Sequence, residues 1–464
     1  MFNFKHTALG FQLDLRRMGL QDKDMEDPLI NKAVAALQDL EGGAVANPSE
    51  DRRVGHYWLR APGLAPASEK EAIRTDRLAL REFAENVREG GFFQTVLLLG
   101  IGGSALGPQL IHQALGGAEG PTFVSIDNTD PEGIQRVLSA LDLGRTLVLV
   151  VSKSGATAET CNACEMTQAA FTRAQIDFPS HAVAITGRDS KLHQEAERDN
   201  WLAVFFQMDW VGGRTSISSA VGMLPAALMG VDTKAFLSGC AQMDAWCRES
   251  AWNPATALAL AWLRNAQNHG RKSLVFLPYK DRLALIGRYF QQLIMESVGK
   301  KVETDGNIVH HGLAVYGNKG STDQHALVQQ LREGDDNFFV GFVAVLDKSH
   351  DAFKVQSGHT AGDYLMAMLL GTRMALTEAG RASYTVVLPK VDALRLGALI
   401  ALHERAVGAY AAMLGINAYD QPGVEAGKRC ANQFLAHQSM YHRGHDLPGS
   451  MDFELLKDWI DAEA

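Results

Sequence analysis

Two turns in this sequence combine glycine with hydroxyl-bearing residues where a strand should hand over to a helix. The first, GIGGSALGPQL (100–110), follows an apolar run at 96–99. The second, SKSGATAET (152–160), follows RTLVLVV. Ser152, Ser154, Thr157 and Thr160 crowd the second turn, with Lys153 and Gly155 among them. Hydroxyls and free amides at a helix N-terminus form an anion site, and the helix dipole adds to it. Four hydroxyls suit the terminal oxygens of a phosphate monoester better than a pyrophosphate, which glycine amides usually cradle. The other reading is a helix cap with no ligand. The segment lacks the spacing of a Walker loop.

The first turn passes the loose pattern of a dinucleotide fingerprint, through Gly100, Gly102 and Ala105, and Asp127 falls where a ribose-binding acid would stand. Pro108 argues against it. A helix starting at Gly102 would hold this proline in its second turn, whereas one starting at Gly107 or Pro108 would place it favourably. The longer turn exposes the Ser104 hydroxyl and the amides of Gly102 and Gly103, which suits a small polyhydroxyl ligand. Dinucleotide binding, and plain strand–helix packing with no ligand, stay open at this point.

These turns need a scaffold of parallel strands. QTVLLLG, PTFVSID, RTLVLVVS and HAVAITG are short continuous apolar runs separated by helix-length segments, and KSLVFLPY, NFFVGFVAVLD and SYTVVLPK form a second set. Such runs with helical crossovers imply parallel sheets covered on both faces. NKAVAALQDLEG and DRLALREFAENVREG precede them with helical spacing, and the segment after about 391 reads as helical again. The 464 residues, 46% hydrophobic and 21% charged, imply more than one core. The net charge of −9 argues against a nucleic-acid surface. No stretch is long and apolar enough to span a membrane, and the N-terminus has no signal-like pattern, so a membrane partner is not expected. Five cysteines do not make a disulfide framework, which suits a reducing cytoplasm. Cys161 and Cys164 form one CxxC pair without a second, and the paired histidines His310–His311 lack further ligands; no metal is expected.

Taken together, GIGGSALGP and SKSGATAET resemble the glucose-6-phosphate isomerase family, built on sugar-isomerase domains. VGGRTSISS, QQLIMESVGKKVETDG, YGNKGSTDQHALVQQL and QPGVEAGK follow in the family's order across residues 100 to 428. The resemblance implies an α/β fold of two tandem three-layer αβα sugar-isomerase subdomains with parallel-rich sheets and helical terminal extensions. The expected division is a helical N-terminal extension (1–90), a first subdomain with the phosphate site (91–250), a second with the base and histidine (251–400), and a helical C-terminal segment carrying Lys428 (401–464). The implied activity interconverts glucose 6-phosphate and fructose 6-phosphate in glycolysis and gluconeogenesis, without a cofactor.

Under this resemblance Glu296 is the proton-transfer base. It stands on a helix whose apolar residues Ile286, Tyr289, Phe290, Leu293 and Ile294 mark a buried face, with Gln292 one turn earlier as a substrate contact. A carboxylate on so apolar a helix is expected to sit in an environment that raises its proton affinity. His325 matches the family histidine that helps open the ring. Ser321 and Gln324 fit a capping box that would place it in a helix's first turn. Lys428 matches the lysine at the ring oxygen, and Gln421 a residue near the phosphate or substrate. Arg214, after two glycines, would steady the enediolate. Gly102, Gly103 and Ser104 would face sugar hydroxyls, while Ser152, Lys153, Ser154, Thr157 and Thr160 would hold the phosphate. The resemblance also implies a homodimer in which His325 serves the neighbouring subunit's site. A non-catalytic sugar-phosphate sensor is the alternative from another class.

Overall fold

The structure is a computed structural model that describes residues 1–117, 120–267, 270–355 and 358–462. The first set of apolar runs forms a five-stranded parallel sheet, in the order Thr122–Ile126, Thr95–Leu99, Thr146–Ser152, Ala182–Thr186, Ala203–Phe206. Thr146–Ser152 sits in the middle and is buried along its whole length, as a strand covered on both faces must be. The strand order reverses between Thr95–Leu99 and Thr146–Ser152. The loops after these two strands are the glycine turn and the hydroxyl turn, so both leave the sheet where open α/β sheets hold their ligands.

The second sheet has six strands, in the order Asn3–His6, Phe11–Arg17, Ser383–Leu388, Phe338–Val345, Ser273–Pro278, Val315–Gly317. Its last four strands run parallel, while Phe11–Arg17 pairs antiparallel with Ser383–Leu388. The N-terminal 90 residues are therefore not a purely helical extension. They contribute an antiparallel hairpin to the second sheet before the helices Pro28–Glu41 and Ala67–Gly90. Alternation was weak evidence for a strand there, because Leu13, Asp14 and Leu15 are all buried in succession.

The helix Ala393–Leu414 is buried from Leu396 to Ala411 without a break. It packs on Thr233–Trp246 and Pro254–Asn265 as a helix that is enclosed on every side. The chain divides into two units at Tyr419 and Asp420, so this helix belongs to the larger unit and not to the C-terminal segment expected from residue 401. The smaller unit holds the helices Pro422–Tyr441 and Met451–Asp461. The rings of Phe434 and Phe453 meet there at 4.8 Å, and the Tyr441 hydroxyl donates to Asp461 at 3.1 Å.

Candidate active site

The glycine turn begins where Thr95–Leu99 ends. Residues Gly102–Ser104 make a short 3-10 turn, and the helix runs from Leu106 to Leu115. Pro108 lies in that helix's first turn, where its missing N–H has no intrahelical partner to lose. The helix starts at Leu106, one residue before Gly107 and two before Pro108, the two starts the sequence suggested. Gly103 packs directly on the Gly213–Ser218 turn: a Cβ built on it would lie 2.2 Å from the Gly213 carbonyl oxygen. The Ser216 hydroxyl ties the two turns together, reaching the carbonyls of Gly103 at 3.1 Å and Gly213 at 2.8 Å.

Arg214 projects from this junction. Its side chain is 8% exposed; Nη1 donates to Glu296 Oε2 at 3.2 Å, and Nη2 to the Ala418 carbonyl at 2.8 Å. Glu296 lies on the helix Ile286–Val298, whose apolar face is buried as the spacing predicted. Gln292, one turn earlier, donates from Nε2 to Glu296 Oε1 at 3.3 Å. The same amide approaches the glycine turn, within 2.9 Å of a Cβ built on Gly102. The structure thus brings Gly102, Gly103, Arg214, Gln292 and Glu296 into one cluster. The apolar surroundings expected for Glu296 are absent. Its carboxylate is 36% exposed and faces a buried guanidinium, because the helix turns its apolar face to the core and its Gln292–Glu296 face to the cleft.

Support for Arg214 comes from residues that the motifs did not reveal. The Tyr289 hydroxyl reaches the Arg214 carbonyl at 3.2 Å and Glu404 Oε1 at 3.4 Å. Glu404 pairs with Arg60, which meets Asp244 at 3.3 Å, and Arg405 meets the same aspartate at 2.7 Å. These four charges are buried, and each needs its partners to stay ionised away from water. The sequence did carry a signal for two of them: His403-Glu404-Arg405 interrupts an otherwise apolar helix.

The hydroxyl turn closes on itself. Ser152 Oγ lies 3.0 Å from Thr157 Oγ1 and accepts from the Gly155 amide at 3.1 Å, while Ser154 Oγ accepts from the Ala156 amide at 3.2 Å. Thr157 is the N-cap of the helix Ala158–Arg173 but makes no capping bond with its side chain. Thr160 is buried, and its hydroxyl has no hydrogen-bond partner among the described residues. Gly155 has a φ of +64°, and a Cβ there would lie 2.4 Å from the Leu192 amide nitrogen. Lys153 bonds the carbonyls of Asp209 at 2.7 Å and Val211 at 3.1 Å. It thereby ties this turn to the loop that carries Arg214. Burial, with Arg52 nearby, pulls its ammonium down to about 8.

His325 is exposed in the first turn of Gln324–Glu333 and makes no hydrogen bond to the Arg214–Glu296 group. The capping box expected there does not form: the N-cap is Asp323, and the Gln324 amide instead bonds Thr372. Asp323 is occupied by the Lys319 amide at 2.6 Å. Gln421 and Lys428 belong to the smaller unit, where Lys428 pairs with Glu425 at 2.8 Å. Asp127 accepts from Gln109 at 2.9 Å. Cys161 and Cys164 lie along one helix, and burial pushes the Cys164 thiol up to about 12, away from the thiolate a metal requires. Among the described residues no three His, Cys, Asp or Glu side chains are grouped to hold a metal ion.

The phosphoglucose isomerase family model matches residues 29–379 and 372–451. A glucose-6-phosphate isomerase of Synechococcus sp. (strain JA-3-3Ab) is 51% identical over 450 residues, covering 93% of this chain and 85% of that protein. One from Geobacter sulfurreducens is 50% identical over 446 residues, with coverages of 92% and 84%. Among solved structures, a glucose-6-phosphate isomerase from Chlamydia trachomatis superposes with a TM-score of 0.86 at 26% identity, covering 99% of this chain and 93% of that one. The family model spans every motif described above, from the glycine turn to QPGVEAGK, and the chain belongs to the phosphoglucose isomerase family.

Proposed function

We propose that this chain interconverts glucose 6-phosphate and fructose 6-phosphate, and that it does so at the Arg214–Gln292–Glu296 cluster. Relatives at about half identity bearing the glucose-6-phosphate isomerase name support the overall reaction. One geometric observation carries the site assignment: a single carboxylate is held between an amide and a guanidinium, 3.3 Å and 3.2 Å away, at the mouth of the glycine turn.

The reaction moves one proton from C2 to C1 and leaves the net oxidation level of the sugar unchanged. The hydroxyls of Ser152, Ser154, Thr157 and Thr160 and the amides of their turn receive the phosphate, with Lys153 adding positive charge. Gly102, Gly103 and Ser104 face the sugar hydroxyls. His325 and Lys428 open the ring, and Gln421 contacts the substrate. Glu296 then takes the C2 proton and returns it at C1, a role in which a positioned base is worth roughly 10²- to 10⁴-fold. Arg214 neutralises the negative charge of the cis-enediolate; its burial means that this charge needs no reorganisation during the reaction. No cofactor enters this scheme.

The active form is a homodimer in which His325 enters the partner's cleft. The exposure of His325, which makes no hydrogen bond to Arg214 or Glu296, supports this reading. A cytoplasmic location fits five unpaired cysteines. The direct test supplies fructose 6-phosphate to purified protein with EDTA present and follows glucose 6-phosphate by a coupled assay. Turnover is expected; folded protein without turnover would refute the reading.

A further inference from the structure

Behind the Arg214 turn lies a cavity of 730 Å³ that shares no lining residue with the Arg214–Glu296 cluster or with the 152–160 turn. Its size is that of a small-molecule site. Ile73, Leu80, Phe205, Met223 and Leu237 make apolar walls. Arg60, on this lining, has an unbonded Nε but is ion-paired to Asp244 and Glu404, and two further polar groups here are unsatisfied. Ser218 is 3% exposed, and its hydroxyl has no partner among the described residues. Arg77 Nη2 is likewise buried without a hydrogen bond, and Arg77 has no ion pair among the described residues. Burial lowers the proton affinity of the Arg77 guanidinium, so an anion beside it would relieve a real cost.

The charge around the cavity is one-sided. Arg188, stacked 4.1 Å over the Phe206 ring, and Lys234 stand on the lining with Arg77, against the single carboxylate of Asp76. An apolar chamber with cationic groups at its wall and an unpaired hydroxyl inside matches one ligand chemistry. We infer that this cavity is a second binding site, for a small organic anion with one acidic head and an apolar body. The head pairs with Arg77 and accepts from Ser218, and the body fills the space between Leu80, Met223 and Leu237. Ser218 closes the Gly213–Ser218 turn, so such a ligand would rest against the back of the segment that holds Arg214.

The test titrates the full-length protein with 8-anilinonaphthalene-1-sulfonate, an anion with an apolar body, in saturating fructose 6-phosphate to keep the sugar-phosphate site occupied. Saturable one-to-one fluorescence enhancement is expected. Arg77→Gln should weaken binding about tenfold or more, the value of a lost charge-assisted bond. Leu237→Trp, which puts an indole into the space assigned to the apolar body, should weaken it as well, while isomerase activity in both variants stays near the parent's. Absence of saturable binding, enhancement that appears only when fructose 6-phosphate is left out and is lost on adding it, or parent-like affinity in folded Arg77→Gln would each overturn the inference.

Discussion

Adding one methyl group at Gly103 should cost far more activity than adding one at Gly212. The Gly103 Cβ would lie 2.2 Å from the Gly213 carbonyl oxygen, 2.4 Å from its carbon and 2.9 Å from its Cα. All three are backbone atoms, so no side-chain rotation relieves the contact. Reaching the 3.4 Å where ordinary contact begins requires an opening of about 1.2 Å (3.4 − 2.2) between the glycine turn and the residue before Arg214. Ser216, which bonds both carbonyls, would lose at least one of them. A displacement near 1 Å of a positioning group lowers rate on the order of 10²-fold, or about 2.7 kcal/mol in the barrier. Gly212 is the control. Its φ of −77° and ψ of 154° suit any residue, and the nearest atom to its Cβ is Thr215 Oγ1 at 3.7 Å. Steady-state kcat/KM for fructose 6-phosphate, with thermal melting alongside, reads the difference. Gly103→Ala should lose about 10²-fold while remaining folded, and Gly212→Ala should stay within about twofold. A Gly103→Ala enzyme with parent-like kcat/KM would show that the contact between the turns does not position Arg214.

Gly155→Ala should raise KM for sugar phosphates by roughly tenfold or more, since it strains a φ of +64° and drives a methyl into the Leu192 backbone; an unchanged KM would count against the phosphate turn. Acidification should destabilise the fold through His403. Burial holds this imidazole down at about 4, so its contribution is complete above 6.5 and is lost as pH falls from 6.5 towards 4, by roughly 3 kcal/mol at most. Urea midpoints measured across that range should fall, and the slope should flatten in His403→Gln; an equal slope in both proteins would contradict the assignment. Mixing inactive His325→Ala with inactive Glu296→Gln should restore about a quarter of the sites if His325 acts in the partner's cleft, because half of the dimers are mixed and each has one intact site. No recovery after confirmed subunit exchange would place His325 in its own subunit's cleft.

What the sequence made legible follows from the range of each interaction. Continuous apolar runs, the helical spacing around Glu296 and the two turns are local patterns, and the parallel sheets and the shared helix face of Gln292 and Glu296 followed from them; that this face belongs with Gly102 came only from the family resemblance. The N-terminal hairpin escaped because Phe11–Arg17 is buried by a strand some 370 residues away, which no local alternation encodes. The surroundings of Glu296 were misjudged for a related reason: apolar neighbours on one helix face say little about what meets the other, and Arg214 lies 82 residues distant. The ion network of Arg60, Asp244, Glu404 and Arg405 joins three separated segments. Only the charges inside the apolar run around 403–405 hinted at it. Lys153 read as a phosphate ligand, yet its two carbonyl bonds give it a second task in holding the loop before Arg214.

The central claim is that Glu296 carries the proton between C2 and C1. Its most direct measurement is proton NMR of fructose 6-phosphate in D2O with the parent protein and with Glu296→Gln. The parent should form glucose 6-phosphate and place deuterium at C2. The variant, in which the amide cannot accept the proton, should be slower in both by at least about 10²-fold while melting like the parent. Undiminished conversion and C2 labelling in folded Glu296→Gln would contradict the account.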